Sequence, residues 1–346
     1  MLVSWEKFIA DWNNRATQGE ASAEFISGMV NKYGLLKEDT YQSGMRQLWD
    51  EAQNEESSDE QFTVGWMLYI GIAFKRSRAM GEVWYRKAAE KDHCWGLWKL
   101  GCLHVGKDRY EMAFECYEEA SQLGCARALV GMASLYHDGT GVPRDNQRAF
   151  DLLCLAREKG DALASTYLGI TFQSGDLDCI RDMDIAIPYL LEGAEKDEPE
   201  ALSRLAKIYQ DGDGVEPDPK KALWYHQAAA KCEVVTSLHM IAKSTWEGRP
   251  GLKKDIQKAI SLYEIAAFKK GDWLTHSFLA EMYLVGVEGE VEVDKRKGYS
   301  YAFVGTEGRQ EKSALLLVHA YEDGDVLPQD EAKRAQFENL WNNYKS

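Results

Sequence analysis

The chain lacks most of the patterns that mark catalytic, metal-binding, redox or membrane proteins. Proline is scarce, 7 in 346 residues, so little interrupts helix formation. No run of about 18 consecutive apolar residues occurs, which excludes a helical membrane span. The N-terminal stretch MLVSWEKFIADWNN sets Glu6, Lys7 and Asp11 among its apolar residues. A basic segment followed by a clean apolar run is missing there, so no secretory signal is expected. The cysteines are Cys94, Cys102, Cys116, Cys125, Cys154, Cys179 and Cys232. Their odd number and the absence of any CxxC pair argue against zinc knuckles and dithiol redox sites, and for reduced thiols in a cytoplasm. Basic residues are outnumbered 41 to 56, which gives a net charge of −15. Such a chain repels phosphate backbones, so nucleic acid is not expected as a partner. Acidic charge aids solubility and favours protein partners with basic patches.

Catalytic signatures are equally absent. HExxH, GxGxxG, Walker and GxSxG patterns do not occur. The histidines His93, His104, His137, His226, His239, His276 and His319 share no metal-ligand spacing. Asp211, Asp213, Glu216 and Asp218 imitate the start of a calcium loop. The twelfth position counted from Asp211 is Ala222, where a bidentate Glu is required. Cys154 sits among apolar residues on a helical stripe and reads as core rather than nucleophile. No cofactor or metal is therefore expected.

What the sequence does contain is a repeat. KALWYHQAAA at 221–230 and KAISLYEIAAFKKG at 258–271 place alanines and aromatic or aliphatic residues at equal offsets. The equivalent small residues are Gly81, Ala113, Ala149, Ala186, Ala222, Ala259 and Gly298, spaced by 32, 36, 37, 36, 37 and 39. An aromatic column, Tyr136, Phe172, Tyr209, Trp246, Tyr283 and Tyr321, precedes most of them. Gly139, Gly175, Gly212, Gly248, Gly286 and Gly324 follow the aromatics, each three residues on except Gly248, which is two on. Asp145, Asp182, Asp218, Asp255 and Asp294 each lie four residues before the next small residue. The spacing predicts a first helix that ends on a left-handed glycine, a turn, and a second helix with aspartate at its N-terminus. Alanine at the closest approach lets the two pack as an antiparallel hairpin. One hairpin cannot bury its apolar face alone, so neighbours must stack.

At these residues the sequence closely resembles the Sel-1-like repeat family, relatives of tetratricopeptide repeats. YLGITFQSG at 167–175 and DGDGVEPDPKKALWYHQAAA at 211–230 carry the resemblance best. It covers roughly residues 62–335. The pairs at 62–94 and 95–126 lack the Gly-x-Gly loop, which matches the shorter step and is closer to a tetratricopeptide unit. The resemblance implies an all-α fold, a right-handed α/α superhelical solenoid of antiparallel helix pairs whose concave groove binds proteins.

Three regions follow. Residues 1–60 are out of register yet helical, with stripes at Trp5, Phe8, Ile9 and Trp12, at Phe25, Met29 and Tyr33, and at Met45, Leu48 and Trp49. They read as an N-terminal helical cap. Residues 61–336 form the repeat solenoid, and 337–346 end a capping C-terminal helix. Trp84, Trp224 and Trp246 fall on or beside core positions. Trp95 and Trp98 are not demanded by the repeat; with Trp66 on the preceding repeat they are expected to face the groove, where tryptophan favours binding. The alternative is that they pack against the N-terminal helices. Tetratricopeptide geometry aims His137, Gln173, Lys207, Gln210 and Glu281 the same way. The leading expectation is a non-catalytic adaptor that holds a protein or peptide. The alternatives are an immunity protein that neutralises a bacterial toxin, and an enzyme in residues 1–60 built on Asp11, Glu20 and Glu24. The oligomeric state is not legible.

Overall fold

The computed structural model describes residues 4–6, 8–9, 23–54, 57–232, 234–248, 252–267, 273–286, 291–323 and 327–345. Asp11, Trp12, Glu20 and Gly324 lie outside the described residues, as does the side chain of Glu24. Among the described residues there are eighteen α-helices and no strand. None of these helices is long and apolar enough to cross a membrane. The chain forms two compact units, Met1–Leu205 and Ala206–Ser346.

Helices α1 (Ala23–Lys32) and α2 (Glu38–Ala52) come first. Eight helix pairs follow. They are α3 (Ser58–Ile70) with α4 (Arg78–Ala89), α5 (Cys94–Val105) with α6 (Tyr110–Gln122), and α7 (Ala126–Asp138) with α8 (Asn146–Glu158). Next are α9 (Ala162–Ser174) with α10 (Met183–Ala194), α11 (Pro199–Asp211) with α12 (Pro219–Lys231), and α13 (Val235–Glu247) with α14 (Ile256–Ala267). The last are α15 (Trp273–Val285) with α16 (Lys295–Glu307), and α17 (Glu311–Asp323) with α18 (Glu331–Lys345).

The pair α7–α8 shows how the sequence makes a hairpin. Helix α7 buries Leu129, Val130, Met132, Ala133 and Leu135. It ends at Gly139, whose φ of +68° carries the chain out of the helix; only glycine adopts that conformation without strain. Asp145 then makes two connections. Its backbone N–H donates to the Tyr136 carbonyl at 2.9 Å. Its carboxylate accepts from the Arg148 N–H at 2.9 Å and so caps α8. The same backbone lock joins Asp182 to Phe172, Asp218 to Tyr209, Asp255 to Thr245 and Asp294 to Tyr283 at 2.8–3.0 Å.

Helix contact depends on the small column. Ala113, Ala149, Ala186, Ala222 and Ala259 are each no more than 4% exposed. A Cβ on Gly298 would stand 2.6 Å from Leu284 Cγ, and one on Gly81 would stand 2.8 Å from Tyr69 Cβ. The residue before the small position is cationic in several pairs and covers the aromatic of the facing helix. Arg148 lies 5.2 Å from the Tyr136 ring, Lys221 4.9 Å from Tyr209 and Lys297 4.2 Å from Tyr283. These cation–π contacts tie the two helices across the mouth of each turn.

Three details differ from the expectation. The pair α3–α4 does have the long turn: Gly71 (φ +86°) and Ala73 (φ +60°) take the glycine places, and Ser77 takes the aspartate's, its N–H donating to Leu68 at 2.9 Å. Only α5–α6 has the tight connection, residues 106–109, and it alone accounts for the 32-residue step. Thr245, not Trp246, occupies the aromatic position of its pair, as its bond to Asp255 shows. Trp224 is 59% exposed on the outer side of α12, edge-on to Tyr225, so it is not a core residue.

The ends follow the same physics. Met29, Tyr33, Met45 and Leu48 on α1 and α2 are buried. Phe25 meets Phe62 at 5.7 Å, and Trp49 meets Phe74 and Trp84 at 5.5 and 5.6 Å. The last pair keeps the cap, with Asp330 accepting from Lys333 N–H at 3.1 Å, and Phe337 stacks on Tyr321. Its small position is filled by Arg334, which pairs with Glu331 and Glu338.

Gly212 has φ +75°, and a Cβ there would stand 2.7 Å from Pro217 Cγ. Gly212→Val is expected to cost about 1–3 kcal/mol, read as a lower thermal midpoint by circular dichroism with helicity retained at low temperature. A wild-type midpoint would contradict the assigned turn.

Candidate protein-binding surface

First helices of successive pairs touch in unit 1, α5 against α7 and α7 against α9. The surface they present begins with α5. His93 caps that helix: its Nδ1 accepts from the Gly96 N–H at 3.1 Å. That bond requires an unprotonated Nδ1, so the proton sits on Nε2, 3.3 Å from Asp59 Oδ1. Burial holds the imidazole pKa below its usual value, against the pull of Asp59. His93 also stacks on Phe62 at 4.8 Å. This buried histidine is a structural cap that orients α5.

With α5 fixed in this way, Gly96, Leu97, Leu100 and Gly101 face inward. Trp95 and Trp98 are left half-buried, one helical turn apart, edge to face at 5.7 Å and 87°. Lys99 Nζ lies 4.7 Å from the Trp98 ring. Trp66 does not join them. It is 1% exposed, because α3 is covered by α4 on one side and touched by α1 and α2 as well. The expectation that Trp66 faces a groove is therefore corrected: it is core.

His137 and Gln173 occupy the last turns of α7 and α9, and both are half-buried. His137 Nε2 lies 3.5 Å from Asp176 Oδ2. Gln173 accepts from Arg204 Nη1 at 3.3 Å. In unit 2, Lys207 and Gln210 are exposed on α11, and the Gln210 amide oxygen meets His226 Nε2 at 3.3 Å. Glu281 is exposed on α15 and pairs with Lys312 of α17 at 3.3 Å.

Glu281 and Lys312 border a cleft of about 440 Å³ between the first helices of unit 2, walled by His239, Met240, Trp246 and Phe278 with Lys243 beside them. Sequence reasoning missed this cleft. The signal was present: Trp246 breaks the three-residue offset to its glycine, because it has left the core column to stand in the cleft wall. It meets Phe278 at 6.1 Å. Such a cleft offers an apolar floor with both charge signs at its edge, suited to a side chain of a peptide or folded protein.

Stacked helix pairs with half-buried aromatics on the first helices define a helical-repeat protein. The sequence matches the Sel1 repeat at residues 61–93, 97–125, 126–161, 199–233, 236–267 and 276–302. These segments cover more than half of the chain, which belongs to the Sel1 repeat family. The α9–α10 pair falls outside the matched segments, yet it has the same glycine exit and aspartate lock. Among curated proteins the chain is 26% identical over 227 residues to a chitin synthase regulator of Saccharomyces cerevisiae, covering 63% of this chain and 32% of that protein. It is 25% identical over 216 residues to a component of an ERAD-associated E3 ubiquitin-protein ligase of Arabidopsis thaliana, covering 58% and 32%. The chain thus spans about a third of the length of these relatives. Two solved structures share the fold: a protective antigen of uropathogenic Escherichia coli (TM-score 0.57, 20% identity, 87% of this chain and 64% of that one), and a Sel1 repeat protein of Oxalobacter formigenes (TM-score 0.58, 21% identity, 71% and 98%).

Unit 1 also holds a buried ionic network behind the half-exposed surface. Arg127 Nε lies 2.7 Å from Asp161 Oδ2, and Arg127 Nη2 lies 3.6 Å from Glu198 Oε2. All three side chains are at most 9% exposed. Asp161 also caps α9 through the Ala164 N–H. Burial pushes the Glu198 carboxyl up to about 7, opposed by Arg127 and assisted by Asp161. A carboxyl whose folded pKa exceeds its ordinary 4.5 stabilises the fold most when protonated. That contribution is complete below about pH 4.5 and is lost as pH rises through about 7. Wild-type stability is expected to fall by up to about 3 kcal/mol across this window. Glu198→Gln is expected to match wild type at pH 5 and to melt higher at pH 8. Parallel melting profiles for the two proteins would contradict the assignment.

Proposed function

We propose that this chain is a non-catalytic scaffold that holds a partner protein or peptide on the exposed faces of its first helices. The observation that carries the reading is the Trp95–Trp98 pair. Two large aromatics stand half-buried on α5 at positions the repeat does not require. Tryptophan is enriched at the energetic centres of protein interfaces. In unit 1, His137 and Gln173 on the following first helices supply polar contacts beside these anchors; in unit 2, Lys207, Gln210 and Glu281 are polar contact candidates of that unit's own first helices. The membership of the Sel1 repeat family supports the reading, as do relatives named as a regulator and as a ligase component.

The net charge of −15 favours a partner whose facing surface is basic, with association that weakens as salt rises. Seven cysteines, none in a disulfide, suit a reducing, cytoplasmic setting. Helices α1 and α2 act as the cap of the repeat stack, since they cover the otherwise apolar α3.

The test is affinity capture from the native organism, with mass spectrometry, comparing wild type with Trp95→Ala/Trp98→Ala. The variant is expected to keep wild-type helicity and to lose a stoichiometric partner, with an affinity drop of at least about tenfold. A partner retained equally would remove the tryptophans from the surface. The absence of any partner would contradict the scaffold reading.

A further inference from the structure

Unit 1 carries a second cleft, away from the tryptophan pair, where α2 meets the first hairpin. It encloses about 640 Å³. Its apolar lining is Met45 and Trp49 of α2, Leu68 of α3, Phe74 of the following turn and Met80 of α4. Met45, Leu68 and Phe74 are buried, whereas Met80 is 48% exposed at the edge. The indole of Trp49 packs on Phe74 at 5.5 Å and on Trp84 at 5.6 Å.

The charge on the rim opposes the charge of the chain. Arg46, Lys75 and Arg76 border the cleft, with Asp50 the one acid beside them. All three cations are exposed, and among the described residues none makes an ion pair. Arg76 uses its Nε on the Tyr69 carbonyl at 3.3 Å. Some other cations of unit 1 are paired, Lys32 with Glu60, Arg127 with Asp161, Arg157 with Glu192 and Arg204 with Glu200. In a chain with 56 acids and 41 bases, three exposed cations against one acid around an apolar cleft are a local reversal of sign.

We propose that this cleft docks a short acidic peptide segment of a partner protein, anchored by a bulky apolar side chain. A cleft of this size takes one or two such side chains. The apolar residue would enter between Trp49, Phe74 and Met80, and flanking carboxylates would meet Arg46, Lys75 and Arg76. Guanidinium groups suit this role because they bind carboxylates through paired N–H donors. The site is separate from the first-helix surface proposed above, so each stands or falls by itself.

The probe is a fluorescein-labelled Glu-Asp-Phe-Leu-Asp-Glu peptide, read by fluorescence polarisation with the full chain. The control replaces every acid by its amide, Gln-Asn-Phe-Leu-Asn-Gln. Wild type is expected to bind the acidic peptide at least about tenfold more tightly than the amide control, with affinity that falls as salt rises. Lys75→Glu/Arg76→Glu is expected to lose that preference at an unchanged melting temperature. Met80→Glu, an exposed edge residue, is expected to weaken binding as well, while Trp95→Ala/Trp98→Ala leaves it intact. Equal binding of the two peptides, or unchanged binding by the charge-reversed variant, would overturn the proposal. So would sedimentation showing a wild-type dimer that the charge reversal dissolves, since a second copy would then occupy the cleft.

Discussion

The structure depends on how closely two helices of one pair can approach. Along α4, α6, α8, α10, α12, α14 and α16 the contact point is a buried alanine or glycine. A single added carbon at Gly298 would overlap Leu284. Gly101 and Gly131 show the same limit from the other direction, since both lie against the ring of Tyr117, which is 4% exposed. Close approach brings the large residues of neighbouring helices into contact. The glycine exit and the aspartate lock then fix where each second helix starts, and the cation over the aromatic ring closes the turn.

Much of this was legible in the sequence because it repeats. Small residues, left-handed glycines and capping aspartates recur at a narrow spacing, and each has one physical reason for its position. Features set by neighbours that do not repeat were harder to read. Trp66 has an ordinary helical position, and the cover supplied by α4 together with α1 and α2 buries it. Trp224 carries a core-like motif, yet it points outward because the small column beside it makes the helix contact. Ser77 replaces aspartate in the first long turn, and Ala73 stands in for glycine, so the Gly-x-Gly and aspartate pattern misses a turn that the backbone forms regardless. The cleft of unit 2 draws on three first helices, far apart in sequence, and only the displaced Trp246 hinted at it.

The two surfaces differ in kind. The first-helix face combines half-buried tryptophans with neutral and mixed polar groups, and it sits on an overall acidic protein. The cleft between α2 and the first hairpin is apolar and rimmed with cations. A scaffold with both could hold one partner through broad contact and another through a short acidic segment. Residues that precede the repeats would then serve binding as well as cover, since Arg46 and Trp49 belong to α2.

Site-specific photo-crosslinking in the native cell tests the central claim most directly. A benzophenone amino acid placed at Gln173 samples the first-helix face of unit 1. The same group at Leu155, 42% exposed on the second helix α8, samples the opposite kind of face. The account predicts a discrete cross-linked partner from Gln173 and none from Leu155. Cross-links from Leu155 alone would place the partner on the second helices and contradict it.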